Sequence, residues 1–322
     1  MNPTHIIKSE YLSEGLFGQL LNWCLEVLPY LEKHGLKPEW RILSEYYGTS
    51  PTYNIFPDIV DINYVPDRHE GASEILSFEQ LKKNAGNPRY SFQSDFTLAN
   101  RLFIQFFQLP DEVLKAVDGF LRPYAGQRIL GLHYRGTDKI TDKSQTNPVS
   151  AELMLRVACD LLEKKGDIDL VYLASDEEFF ISKASKDLPV PCVYFQQQRK
   201  VRRRQSIFGK KKYEPLFRGH NKNKNAEIGR YALIDSLLLS RCDYLLKCQS
   251  ALSGWSKIWN PQLEIYRIAA FKEDWFPDAF IPLYKTENRD LNAALTLVQK
   301  GEVSLEEKLK SSRPVSAYLG NR

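Results

Sequence analysis

The chain has 322 residues, 43% of them hydrophobic and 26% charged, with a formal net charge of +4. This is the composition of a globular protein long enough for about two cores, and so mild a basicity does not argue for a nucleic-acid partner. No apolar run reaches about 18 residues, which argues against a membrane-spanning helix, and Cys24, Cys159, Cys192, Cys242 and Cys248 form no CxxC pair, which argues for reduced thiols and against a zinc site.

In chain order, the N-terminus lacks the charged-then-apolar pattern of a secretory signal, so the expectation is a cytoplasmic protein, with peripheral membrane contact as an option. Residues 14–35 read as a helix entered through glycines and ended at Gly35, and residues 40–43 as a strand. Residues 46–95 are rich in Tyr, Pro, Asn and Asp, with weak periodicity. Helical spacing returns over 96–120 and is broken by Pro110. From residue 127 apolar runs of strand length fall at 129–134, 170–174, 190–195, 244–246 and 263–269, with helical segments at 150–165 and 227–240. Strands alternating with helices predict an α/β fold with a doubly wound parallel sheet. The tail, 286–310, reads as two short helices hinged at Gly301, with Ser304 and Glu307 spaced for a capping box. The expected division is a first α/β domain over 1–125, a second over 126–285 and a helical tail over 286–322.

Residues 199–224, from Arg199 to Lys224, hold eleven Lys or Arg against a single acid, which sets the segment apart as an exposed insertion. It reads either as a solvated loop or as a contact for an anionic acceptor, acidic polymer or membrane surface.

Ligands of doubly wound sheets bind beyond the carboxyl ends of the strands, and three strand ends carry charge. "ILGLHYRGTDK" ends in His133, Arg135, Asp138 and Lys139. An arginine there suits the two-pronged grip of a phosphate, and a surface turn closed by an Arg135–Asp138 pair is the alternative. "VYLASDEE" ends in Ser175, Asp176 and Glu177, where a carboxylate suits a ribose hydroxyl and Ser or Asp also suits a helix cap. In "YALIDSLLLSRCDYLLKCQSALSGW", Asp235 sits among apolar helical residues and needs a partner. A guanine edge would serve, as would an internal salt bridge with Arg230 or Arg241. The strand after it ends in Lys247, Gln249, Ser250 and Ser253, suited to a phosphate or to capping.

"GLHYRGTDK" resembles the H-x-R-R-T-D-K segment of core α1,6-fucosyltransferases and nodulation fucosyltransferases, whose wider superfamily shares H-x-R-x-x-D. "VYLASDEE" resembles the second motif of that group, a strand ending A-T-D-D, and "ALIDSLLLSRCDYLLKCQS" is similar to the third. The three occur in the family's order over residues 129–255, and "EGLFGQLL" is similar to its glycine-rich opening. The resemblance implies a GT-B-like fold, two Rossmann-like domains facing a cleft, with GDP-fucose as donor, no cofactor and no metal. It assigns Arg135 to the β-phosphate, His133 and Asp235 to the guanosine, Asp176 to the ribose and Ser250 to the phosphates. Asp138 and Lys139 join the donor-binding set, and Gly15 and Gly18 let a helix start approach the donor. The chain departs from the family in three places. Gly136 stands for the second arginine, S-D-E for T-D-D, and Lys143 for a downstream glutamate, with Asp142 beside it as the base that remains.

The expected function is therefore an inverting, metal-independent transfer of L-fucose from GDP-fucose to a glycan hydroxyl. Arg135 would stabilise the departing diphosphate, and Asp142 or a carboxylate of the first domain would take the acceptor proton. The competing readings are a transferase of the same fold with another nucleotide sugar, and a non-catalytic protein that binds glycan or polyanion.

Overall fold

A computed structural model describes residues 4–8, 15–44, 46–47, 53–66, 73–88, 95–136, 149–196, 204–205, 211–212, 225–248 and 250–268. Asp138, Lys139, Asp142, Lys143, Gln249, the helical tail and most of residues 199–224 lie outside them. The chain divides into two compact units, one of Met1–Asp118 with Phe217–Ile234 and the other of Gly119–Leu216 with Asp235–Arg322. No helix of the described residues is long and apolar enough to cross a membrane.

The first unit is built on a parallel sheet of three strands, with β1 (Thr4–Lys8) between β2 (Glu39–Arg41) and β4 (Ser73–Ser77). A second, antiparallel pair joins β3 (Asp61–Ile62) to β5 (Phe107–Gln108). The helix expected over 14–35 opens as a π-helical turn, Leu16–Leu21, and becomes regular only as α1, Asn22–His34. It ends at Gly35 with φ of 62°, left-handed backbone that glycine adopts without a Cβ clash. Three elements within the weakly periodic stretch are not expected from the sequence, β3, β4 and the seven-residue α2 (Phe78–Asn84), the last capped by Ser77 accepting from the Gln80 amide. Pro110 does interrupt the following helical stretch, which forms α3 (Phe96–Phe106) and α4 (Asp111–Leu121). An aromatic group of Trp40, Phe56, Phe103 and Phe107 fills the interior, with ring centroids 5.2–6.1 Å apart.

The second unit carries a five-stranded, all-parallel sheet in the order β12-β11-β6-β7-β8. Its strands are β6 (Ile129–Tyr134), β7 (Leu170–Ser175), β8 (Cys192–Val193), β11 (Tyr244–Lys247) and β12 (Glu264–Arg267). A short antiparallel pair, β9 (Arg204–Gln205) with β10 (Lys211–Lys212), falls inside the basic segment. Every residue of β6, β7 and β11 is buried, which is why these strands read as continuous apolar runs and not as alternation. The run at 190–195 pairs over two residues only, at the sheet's edge.

Both faces are covered. On one, Leu130, Leu132, Tyr134, Val171, Leu173 and Leu246 pack with residues of α5 (Ala151–Lys165) and α6 (Glu178–Asp187). On the other lies the Asp235–Ser240 part of α7 (Asn225–Ser240), held to α8 (Ala251–Trp259) by serines. Ser236 donates to the Leu252 carbonyl at 2.8 Å, and Ser256 donates to the Ser236 carbonyl at 2.9 Å. A Cβ on Gly131 would meet Leu239 at 3.0 Å and the Cys242 sulfur at 3.1 Å, so glycine on the central strand sets how closely this layer approaches. All five cysteines are free thiols, as the sequence predicts.

Candidate functional site

The carboxyl ends of β6, β7, β11 and β12 lie side by side, because parallel pairing aligns them. His133 is in register with Lys247 on one side and Ala174 on the other, and Lys247 with Arg267 beyond it. Registered neighbours share a face, so His133, Lys247 and Arg267 form one basic row across three strands. All three are buried, with 4%, 0% and 3% of their surface exposed. A row of that kind is costly to desolvate, and it sits where a doubly wound sheet receives its ligand.

The Nδ1 of His133 is buried and has no hydrogen-bond partner among the described residues. Burial first, then the charges of Lys247 and Arg135, hold its pKa well below the ordinary imidazole value, so the ring is neutral. A neutral, buried ring with an orphaned nitrogen is ready to exchange a hydrogen bond with a ligand.

Arg135 and Asp176, drawn from different motifs, meet here. Arg135 Nη1 lies 3.4 Å from Asp176 Oδ2, with 21% and 7% of the side chains exposed. The other carboxylate oxygen, Oδ1, accepts the Gly136 amide at 3.2 Å. Asp176 thus crosses from β7 to the end of β6 instead of capping α6. The turn is closed by Ser175, whose hydroxyl accepts the Glu177 amide at 3.1 Å. The Arg135 amide itself donates to the Cys248 sulfur at 3.0 Å, which ties β6 to β11 just past the sheet. The alternative of a turn closed by Arg135 and Asp138 falls on a residue outside those described.

Glu177 fills the space beside Gly136. A Cβ on Gly136 would fall 2.3 Å from the Glu177 carboxylate, far inside van der Waals contact. The carboxylate therefore occupies the space where a side chain at position 136 would begin. Tyr134, below it, is pushed well above the ordinary phenol pKa, by burial first and then by Glu177 and other nearby negative groups. It stays protonated and donates to the Val149 carbonyl at 3.2 Å.

Among the described residues, Asp235 pairs with neither Arg230 nor Arg241. Arg230, one turn earlier on α7, is committed to Asp58 and to Glu112 at 3.1 Å, and Arg241 is exposed. Asp235 instead accepts a hydrogen bond from the Tyr172 hydroxyl at 2.5 Å, both groups being buried. Ser250 precedes α8 in extended conformation (φ −164°, ψ 136°), and its side chain makes no capping hydrogen bond. Its carbonyl accepts the Lys247 ammonium at 2.8 Å.

His133, Arg135, Asp176, Asp235 and Ser250 thus all belong to one unit, at or beside the carboxyl edge of one sheet. Gly15 and Gly18 belong to the other. Gly15 has open space where a Cβ would stand, and the first amide after it, of Leu16, donates to the Tyr47 hydroxyl at 2.8 Å. Among the described residues no group of three or more His, Cys, Asp or Glu gathers closely enough to hold a metal ion. Sequence reasoning left Tyr172, Glu177, Cys248 and Arg267 without a role. Tyr172 was accessible to it, since period-2 alternation places Tyr172, Ala174 and Asp176 on one face of β7. The roles of Cys248 and Arg267 depend on which strands become neighbours, which no local pattern states.

No protein-family model matches the chain, and neither does any curated protein sequence. Among solved structures, a Bradyrhizobium fucosyltransferase NodZ aligns with 18% identity over 80% of this chain and 92% of its own, at a TM-score of 0.49. NodZ α-1,6-fucosyltransferase soaked with GDP-fucose aligns with 16% identity over 81% and 94%, at 0.48. POFUT1 in complex with GDP aligns with 10% identity over 82% and 98%, at 0.45.

Proposed function

We propose that the chain is a GT-B-like glycosyltransferase that transfers L-fucose from GDP-fucose to a glycan hydroxyl with inversion and without a metal ion. The observation that carries this reading is the meeting of three sequence motifs at one sheet edge, with Arg135 3.4 Å from Asp176 beside a buried, neutral His133. Parallel pairing alone would bring these strand ends together, so the weight rests on the specific contacts between motifs, Arg135 with Asp176 and the Arg135 amide with the Cys248 sulfur.

The roles are those that the family resemblance implies, and the chemistry of each group suits them. Arg135 meets the diphosphate, which gains charge as the sugar–oxygen bond breaks. His133 and the α7 carboxylate Asp235 face the guanosine, and Tyr172 holds that carboxylate by its hydroxyl. Asp176 takes the ribose, and Ser250 offers the phosphates a hydroxyl that capping does not use. Asp138 and Lys139 complete the donor set. The acceptor oxygen attacks the anomeric carbon from the face opposite the diphosphate. The new carbon–oxygen bond forms as the old one breaks, GDP departs, and Asp142 receives the acceptor proton. Residues 199–224 provide the basic surface for an anionic acceptor or membrane, and the setting is cytoplasmic.

The deciding experiment is donor hydrolysis with GDP-fucose in the presence of EDTA, beside thermal shifts with GDP, UDP and ADP. The expected result is release of fucose despite chelation, and stabilisation by GDP of about 2.7 kcal/mol at 100 times its dissociation constant. Equal stabilisation by all three nucleotides rejects the guanine assignment, and GDP binding with no hydrolysis or transfer rejects the enzyme.

A further inference from the structure

Lys247, at the centre of the basic row between His133 and Arg267, has no role in the assignments above. It closes β11 after Tyr244, Leu245 and Leu246, at a position where another apolar residue would complete the strand, and none of its surface is exposed. Burying an ammonium costs several kcal/mol unless its surroundings repay it. Three observations indicate what it does there. It is in register with His133, so the two share a face of the sheet. Its Nζ donates to the Ser250 carbonyl at 2.8 Å, across the turn that leads into α8. Its charge opposes protonation of His133, as that of Arg135 also does, so a positive field reaches the orphaned imidazole.

We propose that Lys247 is a positioning residue of the nucleotide diphosphate site: its ammonium fixes the turn that presents Ser250, and its charge, beside that of Arg135, draws the diphosphate to this edge of the sheet. The nucleotide part of this inference rests on the reading under Proposed function. The field matters because Asp176 already offsets part of the Arg135 charge before any ligand arrives. A diphosphate brings more than one negative charge and needs more than one positive group to meet it. Lys247 does this without touching the ligand, since charge acts over several ångströms in a water-poor interior. The other charged groups on this face are Arg267, in register with Lys247 on β12, and Asp235 on α7.

The test uses Lys247→Met, which removes both the donor and the charge, and Lys247→Gln, which keeps an N–H donor but not the charge. Two quantities are read in the full-length protein: the NMR titration of His133, and the dissociation constants of GDP and of guanosine. Both variants are expected to raise the His133 pKa and to weaken GDP by roughly tenfold or more, as when a charge-assisted hydrogen bond is lost. Guanosine, without phosphates, is expected to bind as before. The proposal is overturned by an unmoved His133 titration, by unchanged GDP affinity, or by equal weakening of GDP and guanosine, the mark of general damage. If Lys247→Met does not fold, Lys247→Gln decides. Should the unaltered protein bind neither ligand, the nucleotide reading fails by itself, and the His133 titration still decides whether the Lys247 charge reaches the site.

Discussion

The two parallel sheets of this protein end differently. In the first unit the strands finish at Lys8, Arg41 and Ser77, all exposed, where charge is solvated and Ser77 does no more than cap a helix. In the second, the corresponding ends carry His133, Lys247 and Arg267 in a buried row, with Arg135, Asp176 and Glu177 beside it. The same backbone architecture therefore serves two ends. Solvated charge at a strand end costs little and does little. Buried charge is costly and is kept in check by specific partners, which makes the second edge the place where function is expected.

The largest effect that tests this contrast is at Arg135. Arg135→Ala is expected to reduce turnover by about 10²–10³-fold, or about 2.7–4 kcal/mol in barrier height. Its melting temperature should stay near that of the parent, since the side chain lies at the sheet's edge. Arg135→Lys should recover little, because lysine keeps the charge and loses the planar grip. Turnover measured beside a melting curve separates these outcomes, and unfolding of both variants would point to a structural turn.

Next comes the fit of Glu177 over Gly136. Gly136→Ala is expected to cost about 1 kcal/mol of stability, because the added carbon would stand 2.3 Å from the Glu177 carboxylate, the end of a flexible side chain that gives way only by leaving its buried position. Adding Glu177→Ala should recover most of that loss. Chemical denaturation of the two single variants and the double variant forms the cycle, and strict additivity would show that the two positions do not compete for space.

A comparable, pH-dependent effect is expected from His133. Its folded pKa is depressed, while the unfolded ring titrates near about 6.5. Above that pH both states are neutral and the residue adds no pH dependence. As pH falls below it, the unfolded chain takes up a proton that the folded chain refuses. Stability then declines by up to about 1.4 kcal/mol per pH unit, until the folded ring itself titrates. Unfolding at pH 7.5, 6.5 and 5.5 should show this slope in the parent and a shallower one in His133→Gln. Equal slopes would mean that the folded ring takes up its proton as the unfolded one does, with no depression of its pKa.

The smallest effect belongs to the first unit. Arg41, 2.8 Å from Glu39 in an exposed pair, should tolerate Arg41→Ala within about 0.5 kcal/mol and with unchanged turnover. A large loss there would erase the contrast between the two edges.

The sequence by itself determined much of the second unit. Its strands announce themselves as continuous apolar runs because both faces are covered, and β6 begins and ends where that pattern does. Ser150 and Gly35 mark helix ends through chemistry confined to a few residues. The same local logic identified His133, Arg135, Asp176, Asp235 and Ser250 as candidates, since charge is conspicuous at the end of an apolar run. Less of the first unit was legible. β1 has five residues and β4 five, too few for a period to show, and their strand character comes from pairing with each other. Which candidates meet was decided only by tertiary structure. Parallel pairing sets Lys247 beside His133 although 114 positions separate them, and it brings Asp176 across to Arg135. The Tyr172–Asp235 bond, the Glu177 carboxylate over Gly136 and the sulfur that holds the Arg135 amide have the same origin. Each depends on strand order and register, which are set by the packing of whole layers and leave no mark on the few residues around each position.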